Sequence, residues 1–202
     1  MAKNVGILAS MSWNSNGWQN QATTEDIAKS NFDYMKENGW MHEDLNFGHK
    51  KYALEENGTY IAYTPQFNTL PALEESKYVE IVFLKSFNYH LNKNYIVGCY
   101  AFPDIGHFVR NADEDNYHVY DFGNVRAIPE NIIAFTTPLH ITDDICSLKG
   151  YLPKGKKLGK MGYNYLDYSN VLKILDEATR LNRDKKLDSI KYKFLTDGRY
   201  KF

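Results

Sequence analysis

The sequence predicts a mixed α+β fold, in the form of a small β-barrel flanked by helices. Three observations support this fold class. Short apolar strands recur at irregular spacing, one helical pattern lies near each end of the chain, and no βαβ repeat connects them. Without that repeat a doubly wound parallel sheet is not expected. The 202 residues suffice for one sizeable hydrophobic core.

Five or six segments have the composition of strands. The first, residues 5–11, is a short apolar run that leads into the turn-rich stretch 12–18. Asn57 and Gly58 form a hairpin signal ahead of the next strand. We expect residues 40–47 to form a further strand or an extended loop. The remaining strand predictions are residues 59–64, 79–87, 95–102, 116–122 and 131–135.

Two helices are expected. Thr23 is a typical N-cap, with Asp26 three residues later, and the helix should run to about Asn38, where Asn38-Gly39 provides a stop. The second helix follows Ser169 as its cap. Its apolar stripe has helical spacing and consists of Val171, Leu172, Leu175, Ala178 and Leu181.

The chain contains no linker or internal repeat, so we assign residues 1–182 to a single domain and residues 183–202 to a basic C-terminal extension. Cys99 and Cys146 lie in apolar runs without metal-like spacing, which predicts buried free thiols in a reducing, cytoplasmic compartment. Residues 5–9 are too short for a signal sequence, and no apolar run approaches the ~18 residues of a membrane span. No cofactor is expected.

The formal net charge of −1 argues against a nucleic-acid binder, but the charges are unevenly distributed. Residues 149–202 carry a net charge of +8, whereas residues 1–148 carry −9. Five lysines lie within residues 149–160, which contain no acidic residue. We interpret four of them as phosphate contacts, with an ordinary solvated loop as the alternative. These four are Lys154, Lys156, Lys157 and Lys160.

Common catalytic motifs are incomplete. Residues 150–156 match G-x-x-x-x-G-K, but Lys157 stands where a phosphate-binding loop needs a hydroxyl to hold magnesium. Glu80 and Lys85 are five residues apart on a strand, so they lie on opposite faces and do not form the E-x-K of a restriction-type nuclease. No G-x-S-x-G turn exposes a serine. We therefore expect no catalytic residues and no enzyme activity.

One alternative enzyme remains open. His42, Glu43, Asp44 and His49 form a loose cluster of metal-ligand residue types, which a metal-dependent nuclease or hydrolase would use. The cluster lacks the H-E-x-x-H pattern, and histidines beside acidic residues are usually ordinary surface residues. We therefore do not expect a metal site here.

The tryptophans are unusually placed. Trp13 and Trp18 lie in a stretch of Ser, Asn and Gly directly after a strand, and Trp40 opens a segment that alternates rings with polar groups. A pocket for a flipped base needs this mixture, because rings stack on the base and polar groups read its edge. The alternative is structural, with Trp40 in the core and the other two rings at the edge of the barrel.

Several short patterns carry a family resemblance. They are S-W-N-S-N-G-W after the first strand, G-W-x-H-E-x-L-N-F from Gly39, Y-I-V-G-C-Y-A-F-P from Tyr95, I-P-E-N-I-I-A-F from Ile128 and G-K-M-G-Y-N-Y-L from Gly159. Together they resemble the PUA-like superfamily, and most closely the EVE/YTH-type domains at the N-terminus of McrB-like modification-dependent restriction proteins. The resemblance covers most of residues 4–180.

The resemblance implies a small β-barrel whose aromatic cage accepts a modified base, 5-methylcytosine or N6-methyladenine. It places Trp13, Asn14 and Trp18 in the loop after the first strand and Trp40 in the cage. It makes Asn46 the residue that reads the base edge. Phe102, at the end of the strand that contains Val97 and Gly98, is then a further wall. The first loop is longer than in YTH domains, so its rings would cover the pocket rather than line it.

Three function classes follow. The first is a reader of double-stranded DNA that flips a methylated base into an aromatic pocket, as the recognition part of a modification-dependent restriction system in anti-phage defence. Its effector would be an AAA+ GTPase or nuclease subunit, because neither domain follows in the chain. The second is the metal-dependent nuclease or hydrolase, and the third is a protein-interaction domain.

Overall fold

The computed structural model describes residues 4–68, 79–110, 122–159 and 162–196. These ranges contain strands of three to ten residues. The strands are β1 (Asn4–Met11), β2 (Tyr60–Ala62), β3 (Ile81–Asn88), β4 (Lys93–Ala101), β5 (Asp104–Val109), β6 (Phe122–Ala127), β7 (Ile132–Ile141) and β8 (Tyr163–Asp167). The α-helices are α1 (Thr24–Lys29), α2 (Asp33–Asn38), α3 (Asp143–Lys149), α4 (Tyr168–Asn182) and α5 (Lys185–Thr196). The predicted α+β class is confirmed.

The strands form two sheets. The larger has five strands in the order β7-β4-β3-β1-β8, and the smaller has three in the order β2-β6-β5. β1 and β3 are parallel, and the other pairs are antiparallel. Among the described strands, no pairing joins β7 to β8 or one sheet to the other, so the barrel is not part of the observed architecture.

The five-stranded sheet is the middle layer of the molecule. Because side chains alternate along a strand, β1 directs Leu8 to one face and Ile7 to the other. Helices α4 and α5 cover the first face with an apolar stripe: Val171, Ile174, Leu175, Ala178, Leu187, Ile190 and Phe194. The small sheet covers the second face with Tyr60, Ala62, Val125 and Ala127. Both faces are therefore buried, and polar groups can meet only at the ends of the strands.

Most of the predicted strands are confirmed, with shifted ends. Predictions 5–11, 79–87, 95–102 and 131–135 correspond to β1, β3, β4 and β7. In the 116–122 prediction, residues 116–121 lie outside the described residues, and β6 begins at Phe122. Gly58 forms the expected turn, with a φ of 75°, and donates its N–H to the Glu55 carbonyl. Residues 51–57, on the other side of the turn, form no strand, and β2 pairs with β6 instead. The hairpin prediction is therefore wrong.

The first predicted helix is two helices. The Thr23 hydroxyl accepts the Asp26 N–H at 3.1 Å, which confirms the N-cap, and Gly39 ends α2 with a φ of 76°. Between them the Ser30 hydroxyl accepts the Phe32 N–H at 3.0 Å, so this serine replaces helical hydrogen bonding with a local turn. The break corrects the single helix over residues 23–38.

Residues 40–47 were expected to be extended, and this expectation is wrong. A 3₁₀-helix spans His42–Leu45, and the carboxylate of Asp44 within it accepts the Met41 N–H at 3.0 Å, which satisfies the backbone donor ahead of the first turn. The cap of α4 also differs from the prediction, since Asp167 rather than Ser169 accepts the Asn170 N–H.

Two other regions bear on the sequence predictions. Helix α5 lies within the segment 183–202 and buries Leu187, Ile190 and Phe194 in the same core as α4. Cys99 and Cys146 are free, buried thiols, as predicted. Over the described ranges, no helix combines the length and hydropathy that a bilayer crossing requires.

Asp26 connects three segments of the chain. Its carboxylate accepts hydrogen bonds from the N–H and hydroxyl of both Ser15 and Thr23, at 2.7–3.1 Å, and lies 3.0 Å from His90 Nε2. Burial alone would raise the pKa of Asp26, but the hydrogen bonds from His90, Ser15 and Thr23 outweigh it and hold the pKa below its usual value. This carboxylate therefore ties the loop after β1 to α1 and to the turn between β3 and β4.

We expect Asp26→Asn to lower the free energy of unfolding by about 2–4 kcal/mol at pH 7, because an amide N–H would face donors that now meet an oxygen. The Asp26 contribution is complete above the ordinary aspartate pKa near ~4 and is lost as pH falls through the lowered folded-state pKa. The difference from wild type should therefore narrow below about pH 4. Urea unfolding across pH measures this, with exposed Asp33→Asn as the control, and an equal loss in both variants would contradict it.

Candidate functional site

A cavity of about 150 Å³ lies at the carboxyl ends of β1 and β3. The parallel register places Ser10 opposite Lys85 and Met11 opposite Ser86, so both strands end at the same edge of the sheet. The remaining walls come from the segment around α2, from the 3₁₀-helix His42–Leu45 and from a second 3₁₀-helix, Pro65–Asn68. We call this the inner cavity; its other lining residues are Ser12, Phe32, Met41, Glu43, Pro65, Gln66, Phe87, Tyr89 and Asn94.

A second pocket, of about 240 Å³, adjoins the inner cavity. Tyr34, His42 and Tyr63 line it, and it shares Met41, Glu43 and Pro65 with the inner cavity. We call it the outer pocket. Together the two spaces lie near the lower end of the ~300–1,000 Å³ typical of small-molecule sites.

Three rings that line the outer pocket, those of Tyr34, His42 and Tyr63, belong to an aromatic cluster that also includes Trp40 and Phe122. The His42 ring lies at its centre, with ring centroids 4.7 Å from Trp40, 4.9 Å from Tyr63 and 4.4 Å from Phe122. Tyr34 and Phe122 remain 44% and 45% exposed. These rings therefore offer faces to solvent, although large apolar rings are usually buried.

Glu43 lies on the boundary between the two spaces and is only 1% exposed. Its Oε1 accepts the Ser12 backbone N–H at 3.1 Å, whereas Oε2 has no hydrogen-bond partner among the described residues. Burial raises the pKa of this carboxyl to about 7, and the neighbouring Asp44 charge adds to the shift that the Ser12 N–H opposes. At neutral pH a large share of Glu43 is thus uncharged.

Three further polar atoms of the inner cavity are unpaired within the described chain, Ser12 Oγ, Gln66 Oε1 and Ser86 Oγ. A buried polar atom without a partner costs about 1–3 kcal/mol, so such atoms rarely gather in one place without a ligand or water. Lys85 differs, because its Nζ donates to Ser10 Oγ at 2.5 Å and to the Gly159 carbonyl at 2.8 Å. Burial lowers the pKa of Lys85 to about 8.

The 3₁₀-helix that carries Glu43 is held by side chains on both sides. Asp44 Oδ1 accepts a hydrogen bond from Asn14 Nδ2 at 2.9 Å, while Oδ2 caps the helix. Asn46 pairs with the main chain of Tyr63, donating to its carbonyl at 2.7 Å and accepting its N–H at 2.8 Å. These contacts fix Glu43 beside the inner cavity and Tyr63 beside the outer pocket.

The structure divides the predicted base-binding residues into four groups. Trp18 is 4% exposed, its Nε1 donates to the Ser12 carbonyl, and its ring packs edge-on against half-buried Trp13 at 5.5 Å. Trp40 lies apart from them in the aromatic cluster. Phe102 follows β4 at the opposite end of the sheet, where its N–H donates to the Glu80 carbonyl. Asn14 and Asn46 are buried, and they position the 3₁₀-helix.

Three of the four predicted phosphate contacts are exposed in the loop over residues 151–159: Lys154, Lys156 and Lys157. Lys160 lies outside the described residues. The loop reaches the inner cavity at its end, because the Gly159 carbonyl accepts the hydrogen bond from Lys85. The basic loop and the cavity are therefore neighbours.

The alternative metal cluster is spread over two places. His42 lies in the aromatic cluster, whereas the His49 ring is beside Tyr60, at 6.1 Å. Burial and the charges of Lys186 and Lys50 lower the pKa of His49 to about 4. Over the described ranges, no three His, Cys, Asp or Glu side chains form a group that could hold a metal ion.

Sequence reasoning missed Tyr34, Tyr63, Gln66 and Ser86, and assigned Glu43 only to the alternative metal cluster. Lys85 and Ser86 do carry a signal, since two polar residues interrupt the apolar run of β3. Tyr34 and Tyr63 carry none, because only the tertiary fold brings them together. Comparisons with protein-family models, with curated proteins and with solved structures find no match for this chain.

The burial of the three tryptophans predicts different costs of substitution. Trp18→Ala should lower the free energy of unfolding by about 3–5 kcal/mol, because it removes a buried ring and its hydrogen bond. Half-exposed Trp40→Ala should cost less than about 2 kcal/mol. Urea unfolding of both variants measures the difference. Equal losses would place Trp40 in the core and remove it from the site.

Proposed function

We propose that this protein reads a modified base in DNA by accepting the flipped base into the outer pocket, with its hydrogen-bonding edge toward the inner cavity. The observation that carries the proposal is the junction of two unlike surfaces at Glu43. The rings of Tyr34, His42 and Tyr63 lie on one side of it and unpaired polar atoms on the other. A flipped base requires this combination, because its faces stack and its edge forms hydrogen bonds.

The aromatic cluster supports the stacking part of the proposal. Trp40 and Tyr34 meet edge-on at 5.6 Å, so they present differently oriented faces beside the pocket. Stacking on such rings contributes about 1–3 kcal/mol per base and tolerates an added methyl group. Trp40 keeps the role that the sequence suggested. In this proposal Tyr34 and Tyr63 replace Trp13, Trp18 and Phe102 as the other walls.

The inner cavity supports the edge-reading part. Gln66 Oε1 is an acceptor, Ser86 Oγ both donates and accepts, and Glu43 Oε2 does either according to its protonation. Asn14 and Asn46 have their amides committed to Asp44, Tyr63 and the main chain. In this proposal Glu43 therefore takes over the reading role that the sequence gave to Asn46.

The basic loop supports binding of the nucleic-acid backbone. Lys154, Lys156 and Lys157 are exposed, and the loop ends at Lys85 of the inner cavity. Phosphate contacts of this kind position a duplex without reading its sequence. The proposal includes the finer sequence expectations: a PUA-like, EVE/YTH-type barrel, double-stranded DNA as the partner, a cytoplasmic location and a separate AAA+ GTPase or nuclease effector in a restriction system.

We expect tighter binding to duplexes that carry one 5-methylcytosine or N6-methyladenine than to the unmodified duplex. Trp40→Ala should weaken binding of the preferred duplex about 10- to 100-fold, because a stacking face is lost. Fluorescence anisotropy titration measures both effects. Tyr192→Ala, on an exposed ring of α5, is the control. Equal or absent binding of modified and unmodified duplexes would end the reader proposal and favour a protein-interaction domain.

Lys156→Ala should weaken binding of every duplex modestly and reduce the slope of log affinity against log salt by about 1, since one phosphate contact is lost. Lys185→Ala, an exposed lysine on α5, should leave that slope unchanged. The same titration at several salt concentrations measures it. A loss confined to the modified duplex would show that the basic loop reads the base and not the backbone.

A further inference from the structure

Glu43 is a buried carboxyl with one unpaired oxygen, and neither stacking nor phosphate contacts explain its presence at the site. We infer that Glu43 determines which ligand enters the inner cavity, by donating a hydrogen bond from its protonated Oε2 to a ring-nitrogen acceptor on the ligand. The inference rests on the proposed function, because it names the class of base that the same site would read. It concerns a residue whose sequence pattern suggested only a weak metal cluster.

The surroundings of Glu43 favour the neutral form. The side chain is 1% exposed, and no salt bridge joins it to a cation within the described chain. A buried carboxylate without a cation is costly, so such a group takes up a proton instead. The raised pKa of about 7 agrees with this geometry. A proton on Oε2 turns the unpaired atom into a donor on a residue that lines the cavity.

The titratable groups around Glu43 come from four neighbouring elements. Asp44 and His42 share its 3₁₀-helix, Tyr34 lies on α2, Lys85 lies on β3, and Tyr89 follows β3. Asp44 and both tyrosines favour the protonated acid or stay neutral near pH 7. Lys85 and a protonated His42 would favour ionisation. The Lys85 ammonium is already hydrogen-bonded to Ser10 and Gly159, and the His42 ring lies in the aromatic cluster.

The cavity's donor and acceptor pattern then selects a ligand class. Protonated Glu43 supplies a donor, and Gln66 Oε1 supplies an acceptor in the same cavity. An amino-substituted heterocycle, such as an adenine or a cytosine, presents a ring-nitrogen acceptor beside an amino donor on its pairing edge. Guanine and thymine present a ring N–H there, which would meet the Glu43 proton. The geometry therefore favours amino bases and disfavours oxo bases.

Glutamine is the decisive substitution, because Glu43→Gln keeps the size of the side chain and provides a permanent donor. Wild-type affinity for an amino base should fall about tenfold between about pH 6 and pH 8, as the protonated fraction falls. Glu43→Gln should retain the low-pH affinity and remove most of this pH dependence. Glu43→Ala should weaken binding about 10- to 100-fold at low pH. Exposed Glu37→Gln is the matched control.

The ligands are duplexes with one modified adenine or cytosine, together with the free nucleosides of adenine, cytosine, guanine and thymine, titrated by anisotropy and calorimetry. Infrared difference spectra of wild type and Glu43→Gln near pH 6 report the protonated carboxyl directly. Thermal unfolding shows that each variant is folded. If Glu43→Ala does not fold, the comparison of wild type with Glu43→Gln and the infrared band decide the matter.

The outcomes separate the two ideas. Duplex binding that is independent of pH and unaffected in Glu43→Ala would overturn the role of Glu43 and leave the reader intact. Nucleoside binding that depends on Glu43, without any preference for modified duplexes, would support the role of Glu43 and overturn the DNA reader. Tighter binding of guanine or thymine nucleosides, or no binding of any ligand, would overturn the inference.

Discussion

The parallel pairing of β1 with β3 determines where the polar groups of this protein meet. Both faces of the large sheet are covered by apolar layers, so an interior polar group can escape those layers only at a strand end. Parallel strands end at the same edge, and this brings Ser10 and Met11 beside Lys85 and Ser86. An antiparallel pair would have placed the two polar ends at opposite edges of the sheet. The inner cavity follows from this register.

Side-chain amides and one carboxylate hold the irregular segments around that edge. Asn46 pairs with Tyr63 as a strand would, and Asn124 pairs in the same two-way manner with the main chain of Thr64. Asp26 joins the loop after β1 to α1. These buried groups are satisfied by good geometry, and therefore they stabilise one arrangement of the loops. The atoms left unpaired in the inner cavity contrast with this general rule.

The elements with strong local patterns could be predicted from the sequence, and those that depend on distant partners could not. Residues 95–102 form a continuous apolar run and fold as β4, and the stripe from Val171 folds as α4. β5 and β8 are half-exposed edge strands without clean alternation, and each is paired to one neighbour only, so no local pattern indicated them. Trp40 could be singled out, because it opens a segment in which rings and polar groups alternate.

The roles of Asn46 and Glu43 show why the rest of the site could not be predicted from the sequence. Both residues are polar and lie three positions apart, Glu43 in the 3₁₀-helix and Asn46 directly after it, and nothing in the sequence shows which of them is left with an unpaired atom. Asn46 finds a main-chain partner 17 residues away, whereas one oxygen of Glu43 finds none among the described residues. That difference arises from tertiary packing, because it depends on whether β2 ends beside a given side chain.

The hydrogen bond from Lys85 to the Gly159 carbonyl connects the inner cavity with the lysine-rich loop. One ammonium group of the cavity wall donates to the Ser10 hydroxyl and at the same time holds the end of the lysine-rich loop. A lysine ammonium has three N–H donors, and these two bonds use two of them. Loss of this ammonium would therefore leave both the Ser10 hydroxyl and the Gly159 carbonyl without it, so the wall of the cavity and the end of the basic loop depend on the same cation.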